Sequence, residues 1–139
     1  MALTDIDHVG VLVADLDEAR RFVEDTLGLE VDREAELSGL GLRLAFFRCG
    51  RAMIELYEVT SPDSPMERLA EGSRVRMDHI AVRVDDIRTT AAELRRGGVR
   101  MRDVGAGDEP LRVGPNLNYW TLADSSGGVS YQLIERVED

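Results

Sequence analysis

The segment Asp7-His8-Val9-Gly10-Val11 returns seventy-one positions later as Asp78-His79-Ile80-Ala81-Val82, and these two histidines are the only ones in the 139 residues. The chain is read as a duplication, so whatever one half folds into, the other must approximate. After the first copy come Asp15, Leu16 and a helix-like run to Gly28; after the second come Asp86, Ile87 and a shorter run to Gly97-Gly98. Each half then closes on an apolar strand with a polar residue at its centre, Met53-Ile54-Glu55-Leu56-Tyr57 in one and Ser130-Tyr131-Gln132-Leu133-Ile134 in the other. Two histidines, one carboxylate and one amide oxygen at matching places have the composition of a metal site shared between the halves.

Residues 5–13 alternate as a half-buried strand does, with Ile6, His8, Gly10 and Leu12 on one face and Val9, Val11 and Val13 on the other. Gly10 lies beside His8 and Ala81 beside His79, which leaves each imidazole room for a ligand. Asp15 with Glu18 makes a capping-box-like start, Leu16, Ala19, Phe22 and Val23 share a helical face, and Gly28 is a stop; together they predict a helix over 15–27. Strands are predicted at 29–36, 41–49 and 52–60, the last two joined by a tight turn at Gly50. Residues 1–60 thus read as a βαβββ module. Residues 61–74 read as a linker, with Ser61-Pro62-Asp63-Ser64-Pro65 followed by a short helical Met66-Glu67-Arg68-Leu69 that closes at Gly72.

Residues 75–139 repeat the order with a strand at 75–84, a helix at 86–96 carrying Ile87, Ala91 and Leu94 inward, and strands at 99–104, 117–123 and 128–136. Between the last three strands, Gly105-Ala106-Gly107-Asp108-Glu109-Pro110 and Gly114-Pro115-Asn116 flank a short extended piece. This loop reads as a surface connection or as a mobile lid.

At 15.4 kDa the chain suits one compact domain or two half-size modules with a common core. Twenty-seven acidic against seventeen basic residues give a net charge of −10, which repels a phosphate backbone, so nucleic acid is not an expected partner. No apolar run approaches the roughly 20 residues of a bilayer span. The first residues lack a basic leader, and a single cysteine, Cys49, fits a reducing compartment; both lead to an expected cytoplasmic, membrane-free protein. An anionic small molecule remains compatible, because a local arginine cluster or a metal ion inverts the field inside a cleft.

Glutamate is uncommon in strands, and Glu55 between Ile54 and Leu56 would be costly to bury unpaired. It needs a cation or a donor. One reading supplies a metal; the other has duplication alone matching the halves, with Glu55 paired to Arg43 or Arg83. Two imidazoles with carboxylate and amide oxygens, and no thiolate, suit Zn²⁺, Co²⁺, Ni²⁺, Mn²⁺ or Fe²⁺. On a six-coordinate ion, four such ligands leave two positions for neighbouring substrate oxygens, a setting that stabilises an enolate.

The paired modules with His8, Glu55, His79 and Gln132 resemble the vicinal oxygen chelate superfamily, which includes glyoxalase I, methylmalonyl-CoA epimerase, extradiol dioxygenases and the fosfomycin and bleomycin resistance proteins. The resemblance implies an α+β fold of two tandem βαβββ modules whose curved mixed sheets form a cleft, with those four residues as metal ligands and a homodimer as the assembly. Ser61-Pro62-Asp63-Ser64-Pro65, the run Met77 to Ile87 and Gly127-Gly128-Val129 look most like the epimerases. The epimerases place glutamine in the first module and glutamate in the second, whereas Glu55 and Gln132 are exchanged here, and Gly39 stands where their proton-abstracting glutamate is expected. Glyoxalase I matches at Glu55 and expects a second glutamate at Gln132.

The implied activity is metal-dependent proton transfer next to a carbonyl, as in an epimerase, an isomerase or a lactoylglutathione lyase. Glu55 is the candidate base, with Glu36 as the other. Tyr57 and Tyr119 are candidate oxyanion donors, Asn118 and Arg43 candidate substrate ligands, and Arg48, Arg83 and Arg112 further candidates for an anionic group. Two other readings stay open. His8, His79 and Glu55 could form a two-histidine, one-carboxylate iron site for a dioxygenase. A non-catalytic binding protein of the bleomycin-resistance kind would use Trp120, Phe46, Phe47 and Tyr119 as walls.

Overall fold

The computed structural model describes residues 3–137 and has the α+β element order of a duplicated chain. It divides into two compact units, residues 8–78 and residues 1–7 with 79–139. The boundaries fall at the two Asp-His steps.

In the unit formed by residues 8–78, strand β1 (Leu3–Val13) from His8 onward runs parallel to β4 (Ala52–Val59), with His8 opposite Met53 and Gly10 opposite Glu55. Strand β3 (Leu42–Cys49) pairs antiparallel with β4 and with β2 (Val31–Leu37), giving the order β2-β3-β4-β1. Gly50, at a positive φ of 66°, makes the tight turn between β3 and β4. Helix α1 (Leu16–Arg21) starts where expected, but Phe22–Thr26 continues as a π turn, Leu27 N–H bonding Phe22 O at 3.1 Å. The wider turn leaves Phe22 exposed while Val23 stays in the core, so the expected inward face holds at Leu16, Ala19 and Val23 only. The core joins those residues to Val13, Ala45, Phe47 and Leu56.

The predicted helix at Met66–Leu69 is absent. Four residues cannot repay helix nucleation, and here the backbone is held otherwise: Ser64 Oγ accepts from Met66 N–H, and the Arg68 guanidinium donates to the carbonyls of Ser61 and Pro62.

In the other unit, β5 (Val75–Val84) from Ile80 onward runs parallel to β8 (Tyr131–Glu135), β8 pairs antiparallel with β7 (Asn116–Trp120), and β7 with β6 (Leu111–Val113). The order β5-β8-β7-β6 repeats β1-β4-β3-β2. Helix α2 (Ile87–Arg96) buries Ile87 and Ala91 against Val82, Val84, Leu117, Tyr119 and Leu133, with Leu94 partly buried beside them. The strand expected at 99–104 shrinks to one bridge, Met101 with Thr121; Asp103 Oδ1 takes the Gly105 N–H and turns the chain away. The last two strands are shorter than predicted, because Ala123–Ser125 forms a 3₁₀ turn between them. No helix among the described residues is long and apolar enough to cross a membrane.

The two halves repeat their helix caps as well as their strands. Asp15 Oδ1 accepts from Glu18 N–H and Asp86 Oδ1 from Thr89 N–H, each at 3.1 Å. A second carboxylate meets the first turn from the sheet: Glu58 Oε1 takes Leu16 N–H and Glu135 Oε1 takes Ile87 N–H, each at 2.9 Å. These bonds satisfy donors that a helix start otherwise leaves unpaired, and they place negative charge at the positive end of the dipole. Asp7, fully buried, is held by Arg83 Nε at 2.7 Å and by both Nε and Nη2 of Arg136 at 2.7 and 2.8 Å.

Asp7 is buried but its arginines are part-exposed, so its removal costs the charged hydrogen bonds it accepts, about 1.5–3 kcal/mol. Asp7→Ala is therefore expected to lower the unfolding free energy by about that amount in urea denaturation. The Thr89 backbone N–H, helped by its hydroxyl, holds the Asp86 carboxyl below its ordinary value of 3.8. A lowered folded-state pKa stabilises above the ordinary value and is lost as pH falls through the folded one. Asp86→Ala should reduce the melting temperature at pH 7, and the gap to wild type should close in acid below that range.

Candidate functional site

Alternation along the strands gives each unit two faces. In residues 8–78, one face carries the core under α1, and His8, Gly10, Phe46, Glu55 and Tyr57 occupy the other. His8 Nε2 lies 3.3 Å from Glu55 Oε1, and both residues are buried. A neutral imidazole nitrogen and a carboxylate oxygen are both lone-pair donors, so their approach in a low dielectric is favourable only with a proton or a metal ion between them. Phe46 meets the His8 ring edge-on, centroids 5.1 Å apart, and Arg33 covers the Phe46 ring at 4.8 Å. Gly10, directly across from Glu55, keeps this spot clear of a side chain.

The arginines offered as partners for Glu55 are engaged elsewhere: Arg43 Nη2 bonds Asp17 at 3.3 Å and Arg83 bonds Asp7. Register places Glu36 opposite Arg43 and Arg43 opposite Glu58, the carboxylate that caps α1. Glu36 and Arg43 therefore lie on the helix-bearing face, and the structure does not bring them to His8 and Glu55. Tyr57 is buried on Glu55's face, two residues along β4.

In the other unit, Ile80, Val82, Leu117, Tyr119 and Leu133 face α2, while His79, Ala81, Asn118, Trp120 and Gln132 fall on the opposite face. Ala81 stands across from Gln132, as Gly10 does from Glu55. Gln132 Nε2 donates to Asn118 Oδ1 at 2.8 Å, and Asn118 Nδ2 donates to Leu111 O at 3.3 Å. The first of these bonds fixes the orientation of the Gln132 amide nitrogen. Asn118 is thus a support for Gln132 rather than a free polar group, a role that only the cross-strand register reveals. Tyr119 and Phe47 do not line these faces. Tyr119 packs under α2, its hydroxyl bonding Asp108 O at 2.7 Å with Arg95 over its ring, and Phe47 is fully buried under α1. Arg48 is exposed and paired with Asp32, and Arg112 reaches Pro115 O.

His8, Glu55 and His79 each offer one ligand atom from a buried position. Imidazole nitrogens and a carboxylate oxygen are donors that suit a borderline divalent ion, and they lack the thiolates of a closed structural zinc site.

Residues 5–110 match the family model described as the Glyoxalase/Bleomycin resistance protein/Dioxygenase superfamily. The sequence is 29% identical over 111 residues to the mitochondrial methylmalonyl-CoA epimerase of Bos taurus, an alignment that covers 76% of this chain and 63% of that protein. The chain thus spans less than two thirds of that relative's length. Among solved structures, it is similar to Streptomyces coelicolor methylmalonyl-CoA epimerase in complex with 2-nitronate-propionyl-CoA, with 28% identity, a TM-score of 0.86 and coverage of 99% and 100% of the two chains. The Mycobacterium tuberculosis methylmalonyl-CoA epimerase gives 27% identity, a TM-score of 0.84 and coverage of 98% and 90%.

Removing the acceptor that fixes Gln132 leaves a buried amide N–H₂ short of a partner, a loss of about 1–3 kcal/mol. Asn118→Ala should show that loss in chemical denaturation, whereas Arg112→Ala, on an exposed contact, should unfold within about 0.5 kcal/mol of wild type.

Proposed function

From membership of the Glyoxalase/Bleomycin resistance protein/Dioxygenase superfamily, to which this chain belongs, we propose that the protein is a metal-dependent enzyme that removes a proton from a carbon next to a carbonyl. His8, Glu55, His79 and Gln132 are its ligands for one divalent ion of the Zn, Co, Ni, Mn or Fe kind. The observation that carries the reading is the buried His8–Glu55 contact at 3.3 Å, together with a His79 and a Gln132 at the matching strand positions of the other half.

When bound, such an ion supplies a Lewis acid that polarises two neighbouring substrate oxygens and lowers the energy of an enolate. The protein's own groups do the rest. Glu55 is the ionisable carboxylate on the His8 face of its strand and accepts the proton; Gln132, a neutral amide, cannot. Tyr57, on the same face of β4, donates its hydroxyl toward the oxygen where charge develops. Phe46 and the buried strand surface exclude water, which strengthens both effects. Glu36, on the far face, is not assigned the proton transfer.

The relatives are methylmalonyl-CoA epimerases, which brings to this chain an acyl-CoA whose α-carbon is acidified by two carbonyl groups as the substrate to test first. A homodimer belongs to the same proposal.

Protein purified without a histidine tag and without chelator is expected to carry about one equivalent of transition metal per chain, and His8→Ala or His79→Ala should lose it while staying folded. In deuterium oxide the loaded enzyme should exchange the α-proton of methylmalonyl-CoA, and Glu55→Gln should slow that exchange by about 10²–10⁴-fold, the usual contribution of a positioned base. A chain that holds no metal after reconstitution contradicts the proposal. So does full metal occupancy in both histidine variants.

A further inference from the structure

The Gly/Pro loop after Met101, read in the sequence as a surface connection or a mobile lid, walls a cavity of about 440 Å³ against the end of α2. That volume falls among small-molecule sites, which run to about 300–1,000 Å³. Arg95, Val99, Arg100, Met101, Asp103 and Asp108 line it, all within one unit. Met101 packs against the core under α2, so the cavity lies on the helix side of the sheet, away from the face of His79 and Gln132. Three bonds strap the loop in place. The Tyr119 hydroxyl and Arg95 Nη2 both donate to Asp108 O, at 2.7 and 3.4 Å, and Arg88 Nη2 bonds Glu109 at 3.0 Å.

The charges on this lining are not all used within the protein. Arg100 Nη2 lies 2.9 Å from both carboxylate oxygens of Asp124, and Asp103 Oδ1 takes the Gly105 N–H at 2.9 Å. Arg95 stands 5.1 Å over the Tyr119 ring and bonds a carbonyl, but it meets no carboxylate among the described residues. The Asp108 carboxylate has no hydrogen bond or ion pair among them either, the residue being held by its carbonyl. An arginine and an aspartate so close on a surface ordinarily pair, as Arg88 and Glu109 do beside them. Here the strap keeps the two charges apart on the lining of one cavity. An anion alone would meet Asp103 and Asp108 in a chain of net charge −10, and a cation alone would meet Arg95 and Arg100. A ligand with one charge of each sign and an apolar body answers every group present.

We propose that this cavity is a second small-molecule site and that it takes a zwitterionic α-amino acid with an aliphatic side chain. The carboxylate lies on the Arg95 guanidinium, whose planar fork matches it. The ammonium lies on Asp108, with Asp103 beside it, and the side chain covers Val99 and Met101. None of these residues takes part in the proton transfer, and the site does not depend on a metal.

L-Leucine, titrated calorimetrically into the full chain, tests the proposal. Two analogues accompany it: leucinamide keeps the ammonium and lacks the carboxylate, and 4-methylpentanoate keeps the carboxylate and lacks the ammonium. Arg95→Met keeps the stem and removes the charge; Asp108→Asn removes the charge and keeps the carbonyl that holds the loop. Both side chains are exposed, so both variants should fold as the wild type does, which a ligand-free thermal melt checks. Leucine is expected to bind the wild type, to bind each variant at least tenfold more weakly, and to raise the melting temperature of the wild type alone. Each analogue should bind the wild type at least tenfold more weakly than leucine, a comparison that decides the matter even where a variant fails to fold. Arg95→Lys should recover part of the loss. Leucine affinity within twofold of wild type in either folded variant, an analogue that binds as tightly as leucine, or no binding of leucine to the wild type overturns the proposal. Leucine should bind alike before and after metal loading, so each of these failures leaves the metal assignment standing.

Discussion

A buried imidazole nitrogen and a buried carboxylate oxygen 3.3 Å apart are the constraint on which the rest of this molecule turns. In a strand face a buried carboxylate and a buried imidazole each need a hydrogen-bond partner or a cation. Gly10 opposite Glu55 clears the space, and Phe46 fixes the His8 ring from its edge. The other half repeats the pattern with an amide in place of the carboxylate, Ala81 standing opposite Gln132 and Asn118 holding its amide nitrogen.

Charged groups in defined pairs anchor the elements alongside the apolar packing. Both helices begin on two carboxylates, an aspartate of their own and a glutamate from the last strand of the module, three residues beyond the polar residue of each half. Each last strand thus carries a polar residue on one face and a helix anchor on the other. Asp7, immediately before His8 in sequence, is held by two arginines, Arg83 and Arg136.

Most of this was legible in the residues. The seventy-one-residue repeat gave the two modules, the period-two alternation gave the strand faces, and Asp15 and Asp86 marked the helix starts. What escaped depends on pairing between strands, which periodicity does not encode. Glu36 and Arg43 looked available because their strand was visible but its register was not; opposite Arg43 and Glu58 they belong to the helix side. Tyr119 and Trp120 are adjacent in sequence and face opposite ways, so only the register shows which of them packs under α2 and which lies across from Gln132. The strand expected at 99–104 failed for a local reason, the Asp103 side chain bonding to the backbone two residues on. Glu135 could have been found from the repeat itself, since it stands to Glu58 as Gln132 stands to Glu55.

The central claim is that ligands from both duplicated halves hold one ion. X-ray absorption at the edge of the bound metal tests it most directly, because imidazole rings leave a countable scattering signature and sulfur is distinguishable from nitrogen and oxygen. The account predicts two imidazoles and only oxygen or nitrogen ligands on a single ion, falling to one imidazole in either His8→Ala or His79→Ala at whatever occupancy remains. A sulfur ligand, or a single imidazole in the wild-type protein, would contradict it.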